Sequence, residues 1–170
     1  MDREECEIHN GLVKVLFELN GEEMVGSTIS ETMWAESVER NLYRLRNVPI
    51  YVYGFSAEDV VSTTEKDGRL RVVEAVRRGG HSTYRIFLPE DATLESFLRD
   101  WETLEQLGCS YERATRCCFG IDVPPDSDVQ AVYQALETGE LSKCWTFEEG
   151  HCGHPLCQVS QQNNEGKHGV

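Results

Sequence analysis

The order of short β-forming runs and amphipathic helical segments in the second half of the chain constrains its fold more than any other feature. Four β-forming runs are expected, at 84–88, 109–114, 117–123 and 144–148. Apolar residues recur at three- and four-residue steps at 94–107 and again at 129–136, which predicts a helix after the first run and another after the third. The order β-α-β-β-α-β is typical of ferredoxin-like folds, in which both helices cover one face of a four-stranded antiparallel sheet.

Residues at the ends of the two helical segments predict where each helix begins and ends. Thr93 or Asp91 is the expected N-cap of the first helix, and Gly108 is placed to follow its last turn. Ser127 begins a capping-box pattern, with a glutamine three residues later, at the start of the second helix. Gly139 is expected to close that helix.

The first half of the chain is rich in β-forming residues and shows no helical periodicity. Its expected strands lie at 12–19, 31–38, 41–45, 59–64 and 70–76. Asp67-Gly68, between the last two of them, is a hairpin signal, and several short strands with tight turns predict a small SH3-like β-barrel. The expected fold class is therefore α+β, with a barrel-like half at 1–80, a ferredoxin-like half at 81–150, and a polar, flexible tail containing cysteine and histidine at 151–170.

The composition limits the classes of function. The 170 residues carry a net charge of −14, and so acidic a chain is unsuited to general nucleic-acid binding or to an anionic membrane surface. It has no apolar run of the roughly 20 residues that a membrane helix requires, and its acidic N-terminus is unlike an export signal. Seven cysteines without such a signal indicate the reducing cytoplasm. We therefore predict a cytoplasmic protein whose partner has a basic surface.

Short patterns along the chain resemble one known family. They are Trp34-Ala35-Glu36, Leu42-Tyr43-Arg44-Leu45, Gly54-Phe55-Ser56, Arg78-Gly79-Gly80-His81-Ser82-Thr83, Ile121-Asp122-Val123-Pro124 and Trp145-Thr146-Phe147-Glu148-Glu149-Gly150. In this order they resemble a bacterial family of domains of unknown function, number four-two-six-five, and the resemblance covers about residues 12–150. The family carries no established activity or catalytic residues, so the resemblance implies no reaction, cofactor or ligand.

The segment at 69–85 carries five arginines and one acidic residue in an otherwise acidic chain. Arginine side chains and glycine-exposed backbone amides bind phosphate or carboxylate groups. The candidate residues for binding a small anion are Arg77, Arg78, Gly80, His81, Ser82 and Arg85. The other interpretation is a tight turn at Gly79-Gly80 between two strands, with the arginines paired to acidic side chains of the same chain. The sequence leaves both interpretations open.

Neither a catalytic site nor a metal site is predicted. His81 and Ser82 are adjacent on an extended segment, where neighbouring side chains point apart, so they do not form a base–nucleophile pair by themselves. Residue types that bind zinc cluster at Cys144, His151, Cys152, His154 and Cys157. Their spacing does not match a C-x₂-C or H-x₃-H pattern, so no metal or other cofactor is assigned, and the sequence does not decide whether zinc binds there.

These features favour a non-enzymatic binding or regulatory protein of the bacterial cytoplasm, such as an inhibitor or immunity-type protein that engages a basic protein partner. The alternative is a small-ligand protein, or an enzyme, that holds an anionic substrate against the side chains of 77–85. A contiguous acidic surface would favour the first prediction. A pocket on which the side chains of 77–85 converge would favour the second.

Overall fold

The structure is a computed structural model, and it describes residues 10–21 and 29–155. Within these residues the chain forms β1 (Leu12–Glu18), β2 (Ser30–Glu39), β3 (Leu42–Leu45), β4 (Val60–Lys66), β5 (Arg69–Arg77), β6 (Ser82–Phe87), α1 (Leu94–Gln106), β7 (Ser110–Arg113), β8 (Cys118–Val123), α2 (Val129–Leu141) and β9 (Thr146–His151). The predicted α+β fold class is confirmed, with two helices and two sheets. Neither helix is long and apolar enough to cross a membrane, in the part of the chain that the structure describes.

The first five strands form one sheet that closes on itself. Neighbouring strands are antiparallel from β1 to β5, and a short parallel pairing of β1 with β5 completes the circle. Alternating apolar side chains fill its interior, among them Val15, Met33 and Val61. Asp67 and Gly68 both have positive φ angles, of 55° and 73°, which is the geometry of a two-residue hairpin turn.

The remaining four strands form a second sheet in the order β7-β8-β6-β9, in which all neighbours are antiparallel. Both helices pack on one face of this sheet. Tyr84 and Ile86 of β6 meet Phe97 of α1 and Leu136 of α2 in a single buried core. The aromatic rings of Phe97 and Phe119 stack with centroids 4.3 Å apart, so this face is closed by close ring packing.

The opposite face of the second sheet is covered by the connection between β3 and β4, residues 46–59. Val52 O accepts a hydrogen bond from Arg85, and Ser56 Oγ accepts one from Thr83 Oγ1 at 2.9 Å. A Cβ atom at Gly120 of β8 would lie 2.5 Å from Ile50 Cδ1, so the connection packs directly on the strand backbone. Because both faces are covered, every residue of β8 is buried.

The helix ends agree with the sequence predictions at α1 and differ at α2. Thr93 caps α1 in a capping box, and Gly108, with φ of 88°, follows its end. The prediction of Ser127 as the cap of α2 is wrong, because the carboxylate of Asp128 accepts the first amide hydrogen bonds instead. The prediction that Gly139 closes α2 is also wrong, because the helix continues to Leu141.

Candidate functional site

Residues 77–85 connect the two sheets. Arg77 is the last residue of β5, and Ser82 is the first residue of β6. Gly80 lies in the turn between them with φ of 82°, and a Cβ atom there would approach Pro125 to 3.2 Å. Glycine therefore meets both the backbone geometry and the close contact at this turn.

The two arginines before the turn are directed at different carboxylates. Arg77 lies 3.5 Å from Glu39, and both side chains are exposed. Arg78 Nη1 donates to Asp59 Oδ2 at 2.8 Å and to Gly54 O at 2.6 Å. Asp59 is buried and also accepts the Gly79 amide at 2.8 Å. Asp59 therefore ties the β5–β6 turn to the end of the β3–β4 connection.

Arg85 is buried on the covered face of the second sheet. Its Nη1 donates to Glu148 Oε1 at 2.8 Å, and its Nη2 donates to Val52 O at 3.2 Å. The guanidinium lies over the ring of Tyr53, 3.9 Å from its centroid. Arg85 thus joins β9 to the β3–β4 connection. The arginines of 77–85 do not converge on one point, and anion binding by these residues stays a prediction.

His81, the residue before β6, and Ser82, its first residue, have different partners, as expected where neighbouring side chains of an extended segment point to opposite sides. His81 Nδ1 lies 2.8 Å from Asp122 Oδ1 of β8. Ser82 Oγ lies 2.7 Å from Nδ1 of His154. The structure therefore places a histidine beside this serine, but it is one that lies 72 residues later in the chain.

The hydrogen bond between Ser82 and His154 holds the segment after β9 against β6. His154 Nε2 lies 3.0 Å from Pro124 O, and Gly153 N donates to Ser82 Oγ at 2.9 Å. Ser82 has no exposed surface, so a substrate does not reach its hydroxyl in this conformation. The pair acts here as a structural clamp rather than as a nucleophile with its base.

The environment of the buried thiols disfavours reactivity. Burial raises the pKa of the Cys109 thiol to about 12, with a smaller contribution from Asp122. Burial also raises the pKa of Cys118, which neighbouring Arg85 partly opposes. Because the thiolate is the reactive form, these two cysteines are poor nucleophiles.

In the structure, Cys144 and His154 of the cysteine and histidine cluster have other partners. Cys144 lies beside Asp100 of α1, whose hydrogen bond adds to the effect of burial in raising the pKa of this thiol. Both ring nitrogens of His154 are engaged by Ser82 and Pro124. Within 10–21 and 29–155, no three His, Cys, Asp or Glu side chains are grouped to hold a metal ion. Cys157 lies outside the described residues.

The model of a family described as a domain of unknown function (DUF4265) matches residues 31–147. The chain belongs to this family. The resemblance seen in the short sequence patterns is thereby confirmed. A crystal structure of a hypothetical protein from Neisseria gonorrhoeae is similar to the chain with a TM-score of 0.71, at 14% identity, over 85% of this chain and 98% of the other. This similarity concerns the fold alone. No curated protein gives a significant match.

Charge is distributed unequally between the two sheets of this DUF4265 protein. Residues 1–80 carry fifteen acidic and ten basic residues, a net charge of −5, and the described part of them, 10–21 and 29–80, carries nine of each. Residues 81–155 carry fourteen acidic and five basic residues, a net charge of −9. The helices and the turns before them hold most of this excess. Their exposed acidic residues are Glu90, Asp91, Glu95, Glu102, Glu105, Asp126, Asp128, Glu137 and Glu140.

This acidic helical layer, defined as the exposed surface of 89–107 and 124–143, has only Arg99 and Lys143 as exposed basic residues. The net charge of the whole chain, −14, does not reveal this layer. A count over the two helical segments alone, 89–107 and 124–143, gives ten acids and two bases and would have found the excess. The buried acids Asp59 and Glu31 carry no comparable sequence signal, because their partners are distant in the chain.

Proposed function

We propose that this protein is a non-enzymatic binding or regulatory protein of the bacterial cytoplasm, and that its acidic helical layer engages a basic surface of a partner protein, as inhibitors and immunity-type proteins do. The observation that carries the proposal is the charge segregation: the helical layer has nine exposed acids against two exposed bases, whereas residues 10–21 and 29–80 carry nine acids and nine bases. A scattered distribution of the same acids would have argued against it.

The physical reason is that exposed charges of one sign act together on an approaching partner. At physiological ionic strength the screening length is about 8 Å, so acids on adjacent helical turns reinforce each other's field within the layer. Such a field raises the rate of encounter with a basic surface and disfavours acidic ones. The helices that carry the acids are held by a buried aromatic core that includes Phe97 and Trp101, so the charges are presented from a rigid support.

We further interpret the closed five-stranded sheet as an SH3-like barrel and the second sheet with its helices as a ferredoxin-like half. The strand order β7-β8-β6-β9 supports the second interpretation, because it inserts β8 between the two strands that α1 connects. The closure of β1 on β5 supports the first. Divisions near residues 80 and 150 follow from these interpretations. These interpretations describe the architecture of the protein. The proposed function does not depend on them, because it rests on the charge distribution.

The experiment compares two triple variants that change the net charge equally. Glu95, Glu105 and Glu137 are replaced with Gln in the helical-layer variant. Glu39, Glu65 and Glu74, which are exposed on strands of the first sheet, are replaced with Gln in the control. Tagged wild type and both variants are used for affinity capture from a bacterial lysate, with mass spectrometry of the captured proteins.

We expect a basic protein that is captured by the wild type and the control variant and lost by the helical-layer variant. Its capture by the wild type should weaken as salt is raised, because exposed charges are screened. Equal capture by all three proteins would contradict the proposal, and so would equal loss by both variants.

The alternative prediction, a small anionic ligand at 77–85, has less support. Arg77, Arg78 and Arg85 are directed at three separate carboxylates of the chain, so an anion there would compete with internal partners. Calorimetric titration with inorganic phosphate tests this alternative, and saturable heat that is lost on replacing Arg78 would restore it.

A further inference from the structure

The histidines among the described residues, His81, His151 and His154, lie in one region. They meet where the segment that ends β9 and continues to Pro155 crosses the start of β6. We refer to residues 151–155 as the latch segment. Its Gly153 packs so closely on this crossing that a Cβ atom there would lie 2.2 Å from His81 O. Histidine is the side chain that ordinarily changes charge between pH 5 and pH 8. The contacts of the latch segment at this crossing are therefore candidates for dependence on pH.

The hydrogen bonds of His154 require one tautomer of the neutral ring. Pro124 O lies 3.0 Å from Nε2 and accepts only, so Nε2 carries the hydrogen. Nδ1 then has a free lone pair and accepts the hydroxyl hydrogen of Ser82, whose Oγ lies 2.7 Å away. The neutral ring therefore uses both nitrogens, one as donor and one as acceptor.

The hydroxyl of Ser82 is already fully used in this arrangement. It donates to His154 Nδ1 and accepts backbone hydrogen bonds from Gly153 N at 2.9 Å and His154 N at 3.4 Å. A second proton on the ring, at Nδ1, would face the hydroxyl hydrogen, which would have to turn away without an acceptor. Both residues are buried, so water does not supply one, and a buried donor without a partner is strongly disfavoured.

We propose that residues 151–155 form a pH-sensitive latch, closed on Ser82 while His154 is neutral and released when the His154 ring takes up a second proton. The side-chain and carbonyl groups that contact this ring, Ser82 from β6 and Pro124 from the segment after β8, are uncharged. They supply no carboxylate to compensate an imidazolium. The thiol of Cys152, on the latch segment itself, lies 3.7 Å from the His154 carbonyl oxygen.

The other two histidines, His151 and His81, have different charged groups around them. Burial lowers the pKa of His151, and Arg78 lowers it further, while Asp59 and Glu149 partly oppose them. Protonating His151 therefore also disfavours the closed latch. His81 faces the carboxylate of Asp122, with its Nδ1 2.8 Å from Oδ1.

Release of the latch is expected to be local. Neither buried core contains a residue of 151–155: one core is built around Phe119 and Ile121, and the other lies inside the first sheet. The closed latch is held instead by the hydrogen bonds to Ser82 and Pro124 and by the pairing of His151 with Thr83. Segments held in this way open with a smaller free energy than the whole domain.

Amide hydrogen exchange measured by NMR tests the proposal, since the amides of Gly153 and His154 are the groups that bond to Ser82. Protection factors, corrected for intrinsic exchange, are compared at pH 7.5 and pH 5.0, with the Ile121 amide as the reference in the core. We expect Gly153 and His154 to lose protection by roughly ten-fold or more on acidification, while Ile121 changes little. Ring ¹⁵N spectra at pH 7.5 should show the Nε2–H tautomer of His154.

Two variants separate the latch from a general loss of stability. In His154→Asn, the side-chain oxygen takes the position of Nδ1 and accepts from Ser82 without titrating, so the loss of Gly153 protection on acidification should become smaller than in the wild type, with the remainder due to His151. In Ser82→Ala the latch should be open at both pH values. The proposal is overturned if Gly153 and Ile121 lose protection in parallel in the wild type, or if wild type and His154→Asn show the same pH dependence.

Discussion

Glu31 offers the most direct test of how the β3–β4 connection is held over the second sheet. Its carboxylate is buried on β2 and accepts hydrogen bonds from three consecutive backbone amides. Oε1 accepts from Ile50 N at 2.7 Å, and Oε2 accepts from Tyr51 N and Val52 N, each at 2.9 Å. Replacing Glu31 with Gln keeps the shape of the side chain but puts a donor where one oxygen accepted.

The expected loss of stability follows from these three bonds. If the amide oxygen of the new side chain takes the place of Oε2, the Ile50 amide loses its acceptor, which costs about 1–3 kcal/mol. The two remaining bonds change from charge-assisted to neutral and weaken by about 1 kcal/mol each. Removing a buried charge recovers part of this loss. We therefore expect Glu31→Gln to lower the free energy of unfolding by about 2–4 kcal/mol.

Urea unfolding followed by tryptophan fluorescence and circular dichroism measures this change. Glu36→Gln is the matched control, because Glu36 lies on the same strand with half of its side chain exposed and its ion pair with Arg44 is 3.9 Å long. The control should change the free energy of unfolding by less than about 0.5 kcal/mol. If both variants unfold at the same urea concentration, Glu31 does not hold the β3–β4 connection over the second sheet.

Two further predictions concern α2 and β9. Gly139→Ala should lower the melting temperature, because the new Cβ atom would lie 2.2 Å from the ring of Trp145. Overpacking of this kind costs about 1–3 kcal/mol. An unchanged or higher melting temperature would contradict this prediction. For His151, the lowered pKa means that its stabilising effect is present above about pH 6.5 and is lost as the pH falls through its pKa in the folded protein. His151→Gln should therefore reduce the drop in urea midpoint between pH 7.5 and pH 5.0, and an equal drop in both proteins would count against it.

Most helices and strands were predictable because local periodicity reports them. The stripe of α1 includes Phe97, Trp101 and Leu104, which are buried as expected, although Leu94 and Leu98 of the same stripe are exposed. The periodicity marks a face of the helix, but the width of the buried part depends on what packs against it.

Gly139 shows where local reasoning fails. Glycine near the end of a helical pattern usually marks its end, yet here the helix passes through it because the indole of Trp145 occupies the space of a side chain. The reason for this glycine lies in a contact between α2 and the residue before β9, and a local pattern does not contain it.

The candidate site could be located from the sequence, but its partners could not. Five arginines against one acid and the Gly79-Gly80 pair marked 69–85 as a turn with unusual charge. The carboxylates that meet Arg78 and Arg85 come from Asp59 and Glu148, which are 19 and 63 residues away. Pairing over such separations depends on the approach of two sheets, and charge alone does not select one acid among thirty.

By itself the sequence determined the order of strands and helices, the α+β class, the family, and the excess of acids over bases. These follow from residue periodicity and composition, which act over a few neighbours or over the whole chain. The tertiary structure alone decided that the β3–β4 connection covers the second sheet, that Ser82 meets His154 rather than His81, and that exposed acids collect on the helical layer. Those outcomes depend on which surfaces pack together, because packing brings distant residues within hydrogen-bond distance and leaves one face of each helix in water.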